Sequence, residues 1–166
     1  MPDKIIKSIS DITPELLVKE QVEGLVLDID NTLAPRNIPL PDEMLKNWIA
    51  GLKEAKIKLF IISNNRQNRV AAFADALGLP FRCNSMKPFP QSFRYAVREM
   101  GIDREKVAAV GDQIYTDVMG AHASGIRAWL VMPIDPSENP LTKIRRRFEK
   151  PVLKKYYKTN SNNNID

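Results

Sequence analysis

The sequence predicts an α/β fold, a doubly wound parallel sheet of five strands with helices on both faces. Three observations carry that expectation. Short, almost wholly apolar segments alternate with amphipathic stretches of helical spacing, and each apolar segment closes on a polar cluster. Strands buried on both faces read as continuous apolar runs, and the helices between them supply the crossovers that parallel pairing needs.

Thr13-Pro14-Glu15 reads as an N-cap, first helical position and first turn, with Ile12 and Leu17 placed as a staple. Residues 25–29 follow Gly24 as the first predicted strand. Leu45, Trp48, Ile49 and Leu52 recur at helical spacing, which predicts a helix over 42–55. Residues 57–62 form the second predicted strand. Asn64 or Asn65 is placed to cap a helix that carries Val70, Phe73, Ala74 and Leu77 inward and stops at Gly78. A short third strand is expected over 79–83, a helix over about 90–100 ending at Gly101, and a fourth strand over 107–110. A helix over 116–124 and a fifth strand over 127–132 complete the pattern.

With 166 residues, 43% hydrophobic and 27% charged, the chain has the size and balance of one globular domain. No apolar run approaches the ~20 residues that span a bilayer, and the N-terminal stretch lacks the apolar core of a secretory signal. The lone Cys83 excludes an intramolecular disulfide and fits a reducing compartment, so the expected location is cytoplasmic. The net charge of +5 is uneven: residues 143–158 carry a local +7, which leaves the rest of the chain at −2. The sequence thus divides into a globular domain over 1–140, a basic amphipathic segment over 141–158 and a disordered tail over 159–166. Leu141, Ile144, Phe148 and Val152 recur at near-helical spacing in the basic segment. Such a segment either lies on an anionic membrane or packs its apolar stripe on the domain.

In doubly wound sheets, ligands bind beyond the carboxyl ends of the strands, near the reversal of strand order. The polar clusters fall at four such ends: 28–32, 63–65, 85–87 and 111–112. Asp28 and Asp30, at i and i+2 on a turning strand end, can share a pocket with different roles, one attacking phosphorus and the other moving the proton. Taken alone, the pair also fits an acidic Asx-turn. A carboxylate attacking a phosphate dianion needs cations beside it, and Mg²⁺ takes an oxygen shell containing one or two carboxylates. Asp112 follows the fourth strand directly, and Gly111 permits a close turn there. Asp117 either joins the metal site or caps the following helix. Ser63 and Lys87 complete a phosphate cradle to which Thr32 and Asn64 are also assigned.

Together, DIDNT, the Ser of IISNN, the Lys of MKPFP and GDQIYTD resemble, in order and in placement, the four motifs of the haloacid dehalogenase superfamily. The resemblance spans roughly residues 24–132. It implies a Rossmann-like phosphatase with Asp28 as nucleophile, Asp30 as general acid/base, and Ser63 and Lys87 as phosphate ligands. It also implies Mg²⁺ held by Asp28, Asp112 and the Asp30 backbone carbonyl. KSISDITPELL, the SNN triplet and the basic tail look like the YqeG-type branch of subfamily IIIA, itself similar to phosphatases of phosphatidylglycerophosphate. The intervals between Asp30, Ser63 and Lys87 are each filled by one helix and one strand, so no covering domain fits and the site should be open.

Other readings are a phosphatase of a soluble sugar, nucleotide or macromolecular phosphate, a phospho-receiver, or a membrane-binding module without hydrolase activity. Receivers place the phosphorylated Asp after the third strand, where this chain has none. A scaffold does not require a nucleophile, acid, metal ligand and lysine around one crevice. No nucleic-acid module is recognised. Cys83, Trp48 and Phe73 read as packing residues and His122 as a packing or surface residue, and the oligomeric state is left open.

Overall fold

The computed structural model describes residues 1–135, 151–156 and 158. Its centre is one six-stranded, all-parallel sheet. The strands are β1 (Lys4–Ile6), β2 (Gly24–Leu27), β3 (Lys58–Ile62), β4 (Phe81–Arg82), β5 (Val107–Gly111) and β6 (Arg127–Val131), in the order β1-β6-β5-β2-β3-β4. From β2 the chain winds outward through β3 to β4, then returns to the other side of β2 to lay down β5 and β6. The reversal therefore lies between β2 and β5, and the ends of these two strands carry Asp28 and Asp112.

The sixth strand corrects the predicted count. β1 has three residues, of which only Ile6 is buried, so it is too short to show a period. Its pairing with β6, Lys4 opposite Trp129 and Ile6 opposite Val131, is a tertiary event. At the other edge, β4 is reduced to two residues, and the predicted 79–83 strand is mostly loop.

Side chains alternate across the sheet with the period of two that a strand imposes. Leu25, Leu27, Leu59, Ile61 and Val110 face one core, shared with α1 (Pro14–Lys19), α2 (Glu43–Glu54) and α3 (Gln67–Leu77). Val26, Phe60, Ile62 and Ala109 face the other, shared with α4 (Gln91–Met100) and α5 (Met119–Ala123). Thr13 caps α1, its hydroxyl accepting from the Leu16 N–H at 3.3 Å with Pro14 at the first helical position. Asp42 caps α2 through the Leu45 N–H at 2.8 Å, while Gly78 and Gly101 close α3 and α4 in the left-handed region.

Three local expectations change. Neither Asn64 nor Asn65 caps α3, which starts at Gln67 after Arg66 with no side-chain cap. The helix expected over 116–124 begins instead as a wide π-helical turn, Ile114–Val118, and becomes regular only in α5. Trp48 is half-buried rather than core, its indole N–H donating to the Ile12 carbonyl at 2.9 Å.

Most of the predicted basic segment 141–158, and all of the tail 159–166, lie outside the described residues. Residues 151–156 are helical, and Val152 and Leu153 pack against the α4 side of the core.

Candidate active site

β2 delivers Asp28 at the reversal point, where its N–H donates to the Val110 carbonyl of β5 at 3.0 Å. The chain then turns hard: the N–H groups of Thr32, Leu33 and Ala34 all converge on the Ile29 carbonyl. Asn31 sits in the left-handed region at φ 61°, which its short polar side chain tolerates better than most. This turn puts Asp28 and Asp30 at the floor and rim of one crevice of about 180 Å³, lined also by Arg36, Ser63, Asn64, Asn65, Lys87, Gln113 and Thr116. The Thr32 hydroxyl is buried and donates to Asp28 Oδ2 at 3.2 Å, so it braces the carboxylate from behind.

Lys87 reaches the crevice because its backbone is clamped. Asn64 Oδ1 accepts from the Lys87 N–H at 2.8 Å, and Asn64 Nδ2 donates to the Lys87 carbonyl at 3.3 Å. Asn64 is thus a brace for the lysine loop. The preceding residues are tied as well: the Ser85 N–H donates to the Ser63 carbonyl at 3.0 Å and the Ser92 hydroxyl to the Ser85 carbonyl at 2.9 Å. The buried Lys87 ammonium then meets Asp28 Oδ1 at 2.5 Å and Asp117 Oδ1 at 2.6 Å.

Asp117 reaches this position through the π-helical turn. Its Oδ2 accepts from the Gln113 N–H at 3.2 Å and from the Thr116 hydroxyl at 3.3 Å. Glycine is required opposite it, because a Cβ on Gly111 would lie 2.3 Å from Asp117 Cγ. The Asp117 side chain joins the acidic cluster and caps no regular helix.

Asp28, Asp112 and Asp117 are all buried, and each offers a carboxylate oxygen within 4.8 Å of the others. A single ammonium among three carboxylates leaves excess negative charge in a desolvated place, which a hard divalent cation with oxygen ligands would neutralise. The donor set therefore fits Mg²⁺ chemistry. Burial is the main cause that raises the Asp28 carboxyl from 3.8 to about 7; Lys87 pulls it down, and Asp117 and Asp30 push it up. For Lys87, burial works against the charge, but Asp117 and Asp28 outweigh it and the ammonium is held firmly protonated.

Asp30 stands apart from the three-carboxylate cluster. Its side chain is gripped by Arg69, with Nη2 at 2.9 Å and Nε at 3.2 Å from Oδ1, and by Asn65 Nδ2 on Oδ2. Arg69 is anchored in turn by the Ile38 carbonyl at 2.8 Å. Sequence reasoning missed Asn65, Arg69 and Arg36 in the site. Asn65 carried a signal, a second Asn after a strand-end serine, but it also fitted a helix cap. Arg69 and Arg36 carried none, because their placement depends on how α3 and the 31–41 loop meet.

Compared with known proteins, residues 37–125 match the family of haloacid dehalogenase-like hydrolases. A probable phosphatase, YqeG, of Bacillus subtilis is 38% identical over 92% of this chain and 89% of its own. The mitochondrial phosphatidylglycerophosphatase GEP4 of Saccharomyces cerevisiae is 26% identical over 89% of this chain and 86% of its own. Among solved structures, CbbY of Rhodobacter sphaeroides with bound phosphate shares the fold, with a TM-score of 0.55 at 17% identity over 71% of this chain and 90% of that one. The chain belongs to the haloacid dehalogenase-like hydrolases. Within that family it is a phosphatase.

Proposed function

We propose that the protein is a Mg²⁺-dependent phosphomonoesterase working through an aspartyl-phosphate on Asp28, with a phosphatidylglycerophosphate-type lipid as substrate. The observation that carries the chemistry is the buried Lys87 ammonium bridging Asp28 and Asp117 beside Asp112, at the strand reversal. An Asp28 oxygen attacks phosphorus, the ester P–O bond breaks, and the departing oxygen takes a proton from Asp30. Water then attacks the phosphorylated Asp28 as Asp30 takes up its proton, which frees the carboxylate and releases inorganic phosphate. Lys87 and Ser63 line the crevice where the phosphoryl oxygens would lie, and Arg69 and Asn65 fix the Asp30 carboxylate at its rim. When bound by Asp28 and Asp112, with Asp117 beside them, Mg²⁺ supplies neutralising charge between the nucleophile and the dianionic substrate.

The lipid substrate is supported by the likeness to GEP4 over most of both chains, and by a crevice that no separate domain covers among the described residues. A phosphate on a membrane lipid suits such a site, and the basic residues of 141–158 would favour visits to the inner face of a membrane. The test is a phosphatase screen with and without Mg²⁺, with phosphatidylglycerophosphate presented beside sugar phosphates and nucleotides. Preferred turnover of the lipid, lost on chelation, is expected. Preferred turnover of a soluble phosphate overturns the lipid assignment, and turnover unaffected by chelation overturns the metal.

A further inference from the structure

Exposed apolar side chains are not scattered over this molecule. Among the described residues, every large hydrophobic side chain more than a third exposed, Met1 and Val18 apart, sits on the loops or first helical turns beyond the carboxyl ends of the strands. Leu40 is 53% exposed and Met44 70%, both after β2; Phe89 is 56% exposed after β4, and Ile134 48% after β6. A concentration of apolar side chains on one face marks a surface that meets something apolar.

The zone contains a cleft of about 620 Å³ whose walls include Leu33, Pro35, Met44, Trp48 and Ile134. The cleft adjoins the phosphate site. Thr32 lines the cleft while its hydroxyl holds Asp28, and Arg36, four residues on, lines the catalytic crevice. Exposed cations frame the zone: Lys7 at the end of β1, Arg36 on the loop, and Arg66 before α3. Two of the acidic groups nearby are engaged locally. Asp42 caps α2, and Glu43 pairs with Lys46 at 2.7 Å.

We propose that this carboxyl-end face, apolar rim and cleft among Lys7, Arg36 and Arg66, docks the enzyme on an anionic lipid surface with the phosphate crevice facing the head groups. The inference rests on the lipid-phosphatase reading and deepens it, for it assigns the docking surface to the catalytic face rather than to the basic segment alone. Apolar side chains entering the acyl boundary beside cations that meet anionic head groups are the two components of interfacial binding. The exposed cations beside the apolar rim favour an anionic surface.

The full chain is mixed with vesicles of phosphatidylglycerol and phosphatidylcholine, or of phosphatidylcholine only, and sedimented at low and high salt. Sedimentation with the anionic vesicles, reduced by salt, is expected. Trp48 lines the cleft and Trp129 is buried, so nitroxide groups on shallow acyl positions should quench Trp48 fluorescence on binding. Replacing Leu40→Gln, Met44→Gln and Ile134→Gln together should weaken partitioning on the order of tenfold, with p-nitrophenyl phosphate turnover within about twofold of wild type. Wild type that does not bind anionic vesicles overturns the docking surface. So does bound wild type without quenching, which would place the contact on the 141–158 segment. Wild-type dimers in vesicle-free buffer that the triple variant dissolves would assign the rim to a second copy of the chain. Wild type that docks and is quenched, yet leaves phosphatidylglycerophosphate intact, supports the docking face and overturns only the substrate.

Discussion

Burial raises the Asp28 carboxyl to about 7, against the pull of Lys87, yet the proposed chemistry requires it ionised. A group whose folded pKa exceeds its unfolded value stabilises the fold below the unfolded pKa and loses that contribution as pH rises through the folded one. For Asp28 the window runs from 3.8 to about 7. In chelator, this group should therefore lower the thermal midpoint as pH rises from about 4 to about 7, and Asp28→Asn should flatten that part of the profile. An unchanged slope in the variant would remove Asp28 as its source. The same substitution should reduce turnover on the order of 10⁴-fold while the far-ultraviolet circular dichroism stays native, since the amide has nearly the same shape and is a poor nucleophile. Asp30→Asn is expected to lose ~10²–10⁴-fold on an alkyl phosphate and less on p-nitrophenyl phosphate, whose leaving group needs little protonation. Equal losses would argue against Asp30 as the proton donor.

At the scale of elements, the critical join runs from β5 through Gly111 into the π-helical turn and α5. π-Turns interrupt a regular helix by one residue, and here the turn directs Asp117 back over Gly111 toward Lys87. Gly111→Ala would force the Asp117 carboxylate aside, and an outer partner displaced in this way typically costs 10–100-fold in metal affinity. Titrating Mg²⁺ against turnover checks this: a half-saturation shifted upward by about that factor is expected, and an unshifted one would show that Asp117 is not needed there. The sequence made β2, β3 and β5 legible because each is an apolar run closed by a polar cluster, and those clusters carried Asp28, Ser63 and Asp112; β6 was legible from its apolar run alone. The missing parts lacked local signals. β1 is only an edge register against β6, the π-turn occupies residues whose pattern fits an ordinary helix, and Arg69 meets Asp30 only after α3 has packed. Trp48 keeps helical spacing with Leu45 and Leu52, but its ring ends at a cleft wall that periodicity does not register.

At the scale of the whole molecule, the site joins parts of the chain that lie far apart in sequence. Asp28 comes from β2, Lys87 from the loop after β4, and Asp112 and Asp117 from the return through β5, so the acidic cluster spans the strand reversal. A cation bound there is linked to global folding, because the unfolded chain does not hold these carboxylates together. At a hundred times its dissociation constant it would stabilise the fold by ~2.7 kcal/mol, which for a domain of this size corresponds to roughly 5–10 °C in Tm. The gain should be larger near pH 7.5 than near pH 5, because at pH 5 the cation must compete with a proton on Asp28. Asp112→Ala should remove most of the Mg²⁺-induced shift. Lys87→Ala should retain it or enlarge it, since it takes a competing positive charge off Asp28 and Asp117. Ca²⁺ should shift the midpoint while restoring little turnover, because its larger and looser oxygen shell holds in-line geometry poorly. Thermal melts at the two pH values, on wild type and both variants, test the Mg²⁺ shifts without any assay of activity, and turnover with Ca²⁺ in place of Mg²⁺ tests the last. A Mg²⁺ shift that survives in Asp112→Ala would move the cation away from the strand reversal and with it the proposed metal assignment.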